Sequence, residues 1–219
     1  MDERIIDDGP ASAAESDGTA PAADSDETAP AAVTEPPPAD SSAIEARSPR
    51  AIAVLAVAAV IIVLGDLATK QVALSNLAGR EPVRLLGGAV YLSLTRNSGA
   101  AFSLGSDYTF VFPVIATGVV AWIAWMALRL RSLPWGLALG LVLGGALGNL
   151  IDRIFRAPGV GVGHVVDMIS VFAPYGDAFP VFNLADSALV VGVSLAVLLE
   201  LTGRRRDGTR ATLERGAQR

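Results

Sequence analysis

Four long apolar segments alternate with polar stretches along the chain. They run from about 50 to 74, 109 to 130, 134 to 153 and 183 to 201. A helix needs about 20 apolar residues to cross about 30 Å of hydrocarbon, and each segment is close to that length. A helix also satisfies its own backbone hydrogen bonds, which lipid cannot do. The pattern therefore predicts an all-α membrane protein with four transmembrane helices.

Basic residues cluster in three places that would share one side of such a protein: before the first span, between the second and third, and after the fourth. Positively charged segments favour the cytoplasm. Both termini are therefore predicted to be cytoplasmic, and the connections 75–108 and 154–182 to face outward. The basic residues concerned are Arg47, Arg50, Arg129, Arg131, Arg204, Arg205, Arg206 and Arg210.

The first outward connection contains two short runs with the composition of β-strands, Pro82–Leu86 and Val90–Leu94. Alternating apolar residues bounded by glycine and proline are typical of strands. We therefore expect a small extracytoplasmic β-sheet subdomain lying on the membrane surface.

Composition divides the chain into three parts. Residues 1–48 carry twelve acidic side chains against two arginines, a net charge of −10, whereas the remainder carries +5. This first part has too few large apolar residues to offset the entropy of ordering, so we predict a disordered cytoplasmic tail. Residues 49–203 form the predicted four-span domain, and 204–219 a basic cytoplasmic tail. The absence of cysteine excludes disulfides and thiol catalysis by this chain.

Glycines recur every four residues in the third span, at Gly136, Gly140, Gly144 and Gly148, and the same spacing continues to Asp152. A ridge without side chains allows another helix backbone to approach closely. We expect this ridge to be a packing surface that brings the aspartate into a groove between helices.

Charged and amide side chains near the span ends are the candidates for chemistry, because such groups are costly in a membrane. Asp66 and Lys70 share a helix face, either as a structural ion pair or in contact with a substrate. Asn149, Asp152 and Arg153 share a face in the third span. They form either an interfacial Asp–Arg pair, or a set in which Asn149 and Arg153 donate hydrogen bonds to a substrate.

The remaining candidates lie in the outward connections and at the start of the fourth span. Asn183 and Asp186 have the spacing of a capping box with Asp in place of Glu. Asp167 stands in an outward loop between two apolar pairs, Val-Val and Met-Ile, and apolar surroundings raise the pKa of a carboxyl group. Asn97 and Gly99 lie in the motif Asn-Ser-Gly-Ala-Ala-Phe of the first outward connection.

These candidates fall into five blocks that occur in order within residues 50–202. Together, and placed against four spans, the blocks resemble the bacterial lipoprotein signal peptidases, the type II signal peptidases. One departure is Met168, where that family commonly has an aromatic residue. The blocks are DLATK from Asp66, NSGAAF from Asn97, GGALGNLIDR from Gly144, VVDMI from Val165 and FNLADS from Phe182.

The resemblance implies an aspartic endopeptidase of the bacterial cell membrane with Asp167 and Asp186 as its catalytic pair at the outer face. Its implied substrate is a prolipoprotein, cleaved just before a cysteine that carries a diacylglyceryl group. The implied partners are such substrates and membrane lipids, for a monomer without nucleic acid, metal or cofactor. The resemblance further implies a substrate-binding set, Asn97, Asn149, Arg153 and Asn183, and a supporting set, Asp66, Lys70, Gly99 and Asp152.

Two carboxyl groups a few ångströms apart share one proton, because both cannot ionise cheaply. Asp186 is predicted in the first turn of a helix, where the dipole favours a negative charge. Asp167 is predicted in an apolar loop. We therefore expect Asp186 to be the ionised partner and Asp167 the initial proton carrier.

Two other classes of function remain open at this stage. A small transporter would place polar residues through the full depth of its spans. The predicted cytoplasmic halves are instead almost wholly aliphatic, as in Ala51–Gly65 and Ser187–Leu201. A non-catalytic scaffold would use the glycine ridge to pack partner helices, and amide replacements at Asp167 and Asp186 would leave its function intact.

Overall fold

The computed structural model of the chain describes residues 48–99 and 110–210. The predicted disordered tail lies outside the described residues except for Ser48, as do residues 211–219 of the predicted basic tail. Within the described ranges, the elements in chain order are α1 (Pro49–Leu77), β1 (Val83–Leu85), β2 (Val90–Asn97), α2 (Val111–Ala127), α3 (Leu133–Phe155), β3 (Val165–Val171) and α4 (Leu184–Leu201).

Three of these helices, α1, α3 and α4, are long and apolar enough to cross a membrane. The fourth, α2, is apolar but has 17 residues, so the predicted span 109–130 is shorter as a helix than expected. Helix α2 ends in a 3₁₀ turn. The amides of Leu128, Arg129 and Leu130 donate to carbonyls three residues back, and the chain then turns toward α3.

Helix α3 lies between α1 and α4, and its glycines explain how closely they pack. A Cβ atom added at Gly136 would lie 2.6 Å from the Ala51 carbonyl oxygen, and one at Gly140 would lie 2.6 Å from that of Leu55. On the opposite side of α3, Gly145 leaves no room for a side chain beside the Ala185 carbonyl oxygen of α4. The predicted close approach at the glycine ridge is therefore confirmed, and it involves α1.

Large apolar side chains also cover the outward faces of the helices. A set distributed over α1, α2 and α4 is more than half exposed: Val57, Ile61, Leu64, Val114, Val190 and Leu198. Exposed apolar surface of this extent is expected where the solvent is hydrocarbon. The fold is thus that of a membrane protein.

The three strands form an antiparallel sheet in the order β1-β2-β3, at one end of the helices. Both strands expected in the first connection are present, and β2 extends to Asn97. Strand β3 was not predicted, and the expectation that Asp167 lies in a loop is wrong. Five of the first six residues of β3 are buried, including neighbours on opposite faces, so its sequence lacks the alternation that marks a half-buried strand.

Candidate active site

Two carboxylates from separate elements line one cavity of about 330 Å³. Asp167 lies in β3 and is 2% exposed, whereas Asp186 lies half-buried in the first turn of α4. Asn97, Asn149 and Arg153 line the same cavity. The sequence candidates from both outward connections and from two helices therefore meet at one place.

Asn183 connects the two carboxylates. Its side-chain amide donates to Oδ1 of Asp167 over 2.7 Å, and its backbone N–H donates to Oδ2 of Asp186 over 3.1 Å. Its side-chain oxygen accepts from the Asp186 backbone N–H over 2.9 Å, which completes the predicted capping box of α4. The cap that starts the helix therefore also fixes the position of one carboxylate relative to the other.

The other two amides each hold one carboxylate. Asn97 donates to Oδ2 of Asp167 over 3.1 Å, while its own oxygen accepts from the Gly99 backbone N–H. Asn149 donates to Oδ1 of Asp186 over 2.7 Å, while its oxygen accepts from Lys70. Because each amide oxygen has its own donor, the nitrogen of each amide is directed to a carboxylate.

Burial, together with the nearby Asp186 carboxylate, raises the pKa of Asp167 to about 7. The hydrogen bonds from Asn97 and Asn183 oppose this shift because they stabilise the ionised form. Asp186 instead accepts bonds at the start of a helix, where the dipole favours a negative charge. The two carboxyl groups therefore occupy different electrostatic environments.

A fully buried lysine supports the site from behind. The Lys70 ammonium lies 2.6 Å from Oδ2 of Asp66, 2.9 Å from Oδ2 of Asp152 and 3.0 Å from the Asn149 side-chain oxygen. These three partners fill the donor capacity of an ammonium group. Of the two alternatives for Asp66 and Lys70, the structure shows the internal ion pair. Gly148 makes room for it, because a Cβ there would lie 2.7 Å from Oδ2 of Asp66.

The two carboxylates bound to Lys70 each hold the residue that precedes a cavity aspartate. Asp66 accepts from the backbone N–H of Ala185 over 3.0 Å, one residue before Asp186. Asp152 accepts from the backbone N–H of Val166 over 3.1 Å, one residue before Asp167. The buried charge cluster thus fixes the backbone of α4 and of β3 at the positions that present the two cavity carboxylates.

Of the two alternatives for the third span, the pair of Asp152 with Arg153 is not formed among the described residues. Asp152 pairs with Lys70 and with Arg156, which lies one helical turn further along α3. The pair with Arg156 was not predicted, although the four-residue spacing of Asp152 and Arg156 is visible in the sequence. The Arg153 guanidinium donates to the carbonyls of Ser98 and Gly99, each over 2.9 Å.

A second contact of Arg153 was also missed from sequence. Its guanidinium lies 5.2 Å from the centre of the Phe112 ring of α2, within cation–π range. Arg153 therefore joins α3 to α2 and to the segment after β2. Asn183 differs from the other expected substrate-binding residues, because it is fully buried and does not line the cavity of about 330 Å³.

A second cavity, of about 590 Å³, adjoins the first and shares Asn97 and Asp186 with it. Its other walls are mainly apolar and include Phe182 and Val190. Asp186 therefore lies between two mostly apolar spaces, one facing α2 and the other along α4.

The apolar helices and the polar cluster at one end of them define an integral membrane protein with a buried carboxylate site. Residues 58–202 match the family described as signal peptidase (SPase) II. The chain therefore belongs to the signal peptidase II family, a family of proteases, and the resemblance inferred from the five sequence blocks is confirmed.

Individual relatives agree with this assignment. A Streptomyces coelicolor protein named lipoprotein signal peptidase is 50% identical over 163 residues, which cover 74% of this chain and 78% of that protein. A Mycobacterium tuberculosis protein of the same name is 49% identical over 155 residues, covering 71% and 74%. A solved structure described as a bacterial membrane enzyme, at 2.3 Å resolution, matches with a TM-score of 0.60 and 29% identity, covering 68% of this chain and 88% of that one.

Proposed function

We propose that the chain is a membrane aspartic endopeptidase that removes signal peptides from prolipoproteins. It hydrolyses the peptide bond just before a cysteine that carries a diacylglyceryl group. The observation that carries the proposal is the linkage of Asp167 and Asp186 through Asn183, beside a cavity that both carboxylates line. The relatives named lipoprotein signal peptidase support the choice of substrate.

The chemistry follows from the different environments of the two acids. Asp186, ionised, takes a proton from a water molecule, while Asp167, protonated, donates a hydrogen bond to the scissile carbonyl oxygen. The water oxygen attacks the carbonyl carbon to give a tetrahedral intermediate. That intermediate collapses when the proton on Asp186 passes to the leaving amine of the cysteine. The products are a signal peptide with a new carboxyl group and a lipoprotein with a free amino terminus.

The surrounding residues receive distinct roles. Asn97, Asn149 and Arg153 line the cavity, so they are placed to contact the substrate backbone while they hold the carboxylates and the segment at Gly99. Asn183 is a positioning residue. Asp66, Lys70 and Asp152 are also positioning residues, because they act through Asn149 and the backbone around the two acids.

The proposed setting is the bacterial cell membrane with four spans, of which α2 is one. The arginine-rich end of the helices would face the cytoplasm and the sheet would face outward. The lipid chains of the substrate can then remain in hydrocarbon while water reaches the carboxylates from outside. The protein would act as a monomer, without metal or cofactor. Its four-span domain would be flanked in sequence by the acidic tail 1–48 and the basic segment 204–219.

The test is cleavage of a synthetic prolipopeptide by the full chain in lipid bilayers. We expect wild-type protein to release a peptide that begins with the lipidated cysteine, identified by mass spectrometry. Asp167→Asn and Asp186→Asn should each lower the rate by roughly 10²–10⁴-fold, the usual worth of acid–base catalysis. Asp177→Asn is the matched control, because this exposed aspartate lies on the same side of the protein.

Two results would contradict the proposal. Full cleavage by either amide variant would exclude the carboxylate mechanism. Equal cleavage of a peptide whose cysteine lacks the diacylglyceryl group would show that the lipid is not part of the recognised substrate.

A further inference from the structure

We infer that the end of the helices remote from the carboxylates carries a binding site for the phosphate of an anionic lipid headgroup. A cavity of about 350 Å³ lies there, and its lining combines the connection between α2 and α3 with the segment after α4. Four arginines contribute to its walls: Arg131, Arg204, Arg205 and Arg210.

The arginines after α4 belong to a folded hairpin, although the sequence predicted a tail from residue 204. Arg204 and Arg210 form an antiparallel bridge, and the Arg205 backbone N–H donates to the Thr209 carbonyl over 2.9 Å. Gly208 has φ +88°, a conformation that glycine adopts without strain and that allows the turn to close. Residues 204–210 therefore hold their guanidinium groups on a defined backbone.

This hairpin is fixed to the membrane helices. The backbone N–H groups of Arg131 and Ser132 both donate to the Arg206 carbonyl, over 3.0 and 3.1 Å. The indole of buried Trp135, in the first turn of α3, donates to the Arg204 carbonyl over 2.7 Å, and the Arg206 guanidinium lies 5.2 Å from the centre of its ring. The two basic segments therefore face one another across the cavity.

Within the described residues the positive charges of the cavity are only partly balanced, because Asp207 interacts electrostatically with Arg205 alone among the four arginines. Among residues 48–99 and 110–210, no carboxylate pairs with the four lining arginines, and none lines the cavity. Asp207, the acid within the hairpin, accepts from the backbone and hydroxyl of Thr209, over 2.8 and 2.7 Å. Four arginines around one small cavity favour a phosphate, which accepts paired hydrogen bonds from arginine.

The position of the cavity across the membrane indicates that a lipid supplies the phosphate. It lies at Ser132, and the 20 residues of α3 from there to Asp152 rise about 30 Å, the thickness of the hydrocarbon layer. With the carboxylates near one surface, the arginines lie at the headgroups of the other. The cavity also lies at the N-terminus of α3, where the helix dipole is positive, and the Ser132 side chain makes no capping bond there.

The experiment is a native mass-spectrometry titration of the detergent-solubilised full chain with phosphatidylglycerol, phosphatidylcholine and inorganic phosphate. We expect one saturable phosphatidylglycerol site that phosphatidylcholine fills at least about tenfold more weakly, as expected if a net negative headgroup is required. Arg131→Gln combined with Arg205→Gln should weaken phosphatidylglycerol binding at least about tenfold, since each removes charge-assisted bonds. Neither side chain forms a hydrogen bond within the described residues, so the fold should persist, and thermal unfolding checks this.

Arg129→Gln is the matched control. Arg129 is exposed on the same side and lies over Trp125, outside the cavity, so its loss should change binding by less than about twofold. Equal weakening by this control would overturn the site in favour of general surface charge. Unchanged binding in the double variant, or equally tight binding of inorganic phosphate, would overturn the lipid assignment. If the double variant unfolds, Arg205→Gln alone is compared with the control by the same criteria.

Discussion

The side-chain nitrogen of Asn183 lies 2.7 Å from Oδ1 of Asp167, although the two residues belong to different elements. The same asparagine caps α4 and binds Asp186 through its backbone. A single residue therefore couples the start of a helix to the separation of two acids.

Replacement of Asn183 by alanine should impair both stability and activity. Loss of an N-cap costs about 1 kcal/mol, and loss of the side-chain bond to buried Asp167 adds to this cost. We expect a lower unfolding temperature and a fall in kcat larger than the change in KM, because the acids lose their alignment. Asn76→Ala, which removes an exposed amide from α1, is the control and should change neither quantity.

The raised pKa of Asp167 predicts a falling rate on the alkaline side of neutrality. The protonated form that the proposed mechanism requires is lost as pH rises through about 7. Asn97 stabilises the ionised form, so Asn97→Ala should raise this pKa and move the alkaline limb of the kcat profile to higher pH. A shift to lower pH would contradict the assignment of the proton to Asp167.

The same pKa has a consequence for stability. The folded carboxyl keeps its proton up to about pH 7, whereas the unfolded group loses it near the ordinary value of 3.8. The contribution of Asp167 to the free energy of unfolding is therefore fully present below pH 3.8 and is lost as pH rises through 7. Wild-type protein should show this fall in unfolding temperature, and Asp167→Asn should reduce its slope.

Gly148→Ala should disrupt the buried charge cluster. The added methyl group would lie 2.7 Å from Oδ2 of Asp66 and 3.2 Å from Ala185, so Asp66 must move. Overpacking of this kind costs about 1–3 kcal/mol. Gly118→Ala in α2 is the matched control, because no described atom lies within 4 Å of its added methyl group. Comparable unfolding temperatures and rates for the two variants would show that the cluster tolerates displacement.

Removal of the Lys70 charge alone should lower the unfolding temperature more than removal of all three charges of Asp66, Lys70 and Asp152. Lys70→Met leaves Asp66 buried without a cation and Asp152 paired with Arg156 alone, and breaking a buried pair costs about 3–5 kcal/mol. Adding Asp66→Asn and Asp152→Asn should recover much of the unfolding temperature, because the uncompensated charges are gone. If the single variant proved as stable as the triple variant, the lysine would not be neutralising these acids.

The proposed orientation can be measured directly, because the chain contains no cysteine. Asp177→Cys, on the side of the sheet, should react with a membrane-impermeant maleimide in intact cells. Arg210→Cys, in the hairpin at the opposite end, should react only after the membrane is permeabilised. The reverse pattern would invert the topology.

Helix packing and much of the site were predictable from sequence, because the physical signals were local. Apolar runs marked the helices, the glycine spacing marked the face against α1, and the spacing of Asn183 and Asp186 marked the cap. The helix periodicity likewise placed Lys70 beside Asp66. Each inference required only residues within a few turns of one another.

The parts that could not be predicted depend on contacts between distant segments. Strand β3 lacks alternation because it is buried on both faces, so Asp167 appeared to be in a loop. The bonds from Asp66 to Ala185 and from Asp152 to Val166 are made to backbone amides, which leave no signature in the choice of side chain. The hairpin after α4 was likewise hidden by its exposed, charged composition.

Helix α4 is the last of the four helices in sequence, and this order has a consequence for biosynthesis. This helix supplies Asp186 together with the asparagine that aligns the acids, and it receives the Asp66 tether from the first helix. A partly synthesised chain without α4 therefore lacks half of the proposed catalytic pair, however well its earlier segments have folded. Under the proposed mechanism, hydrolysis becomes possible only after α4 has been synthesised and packed.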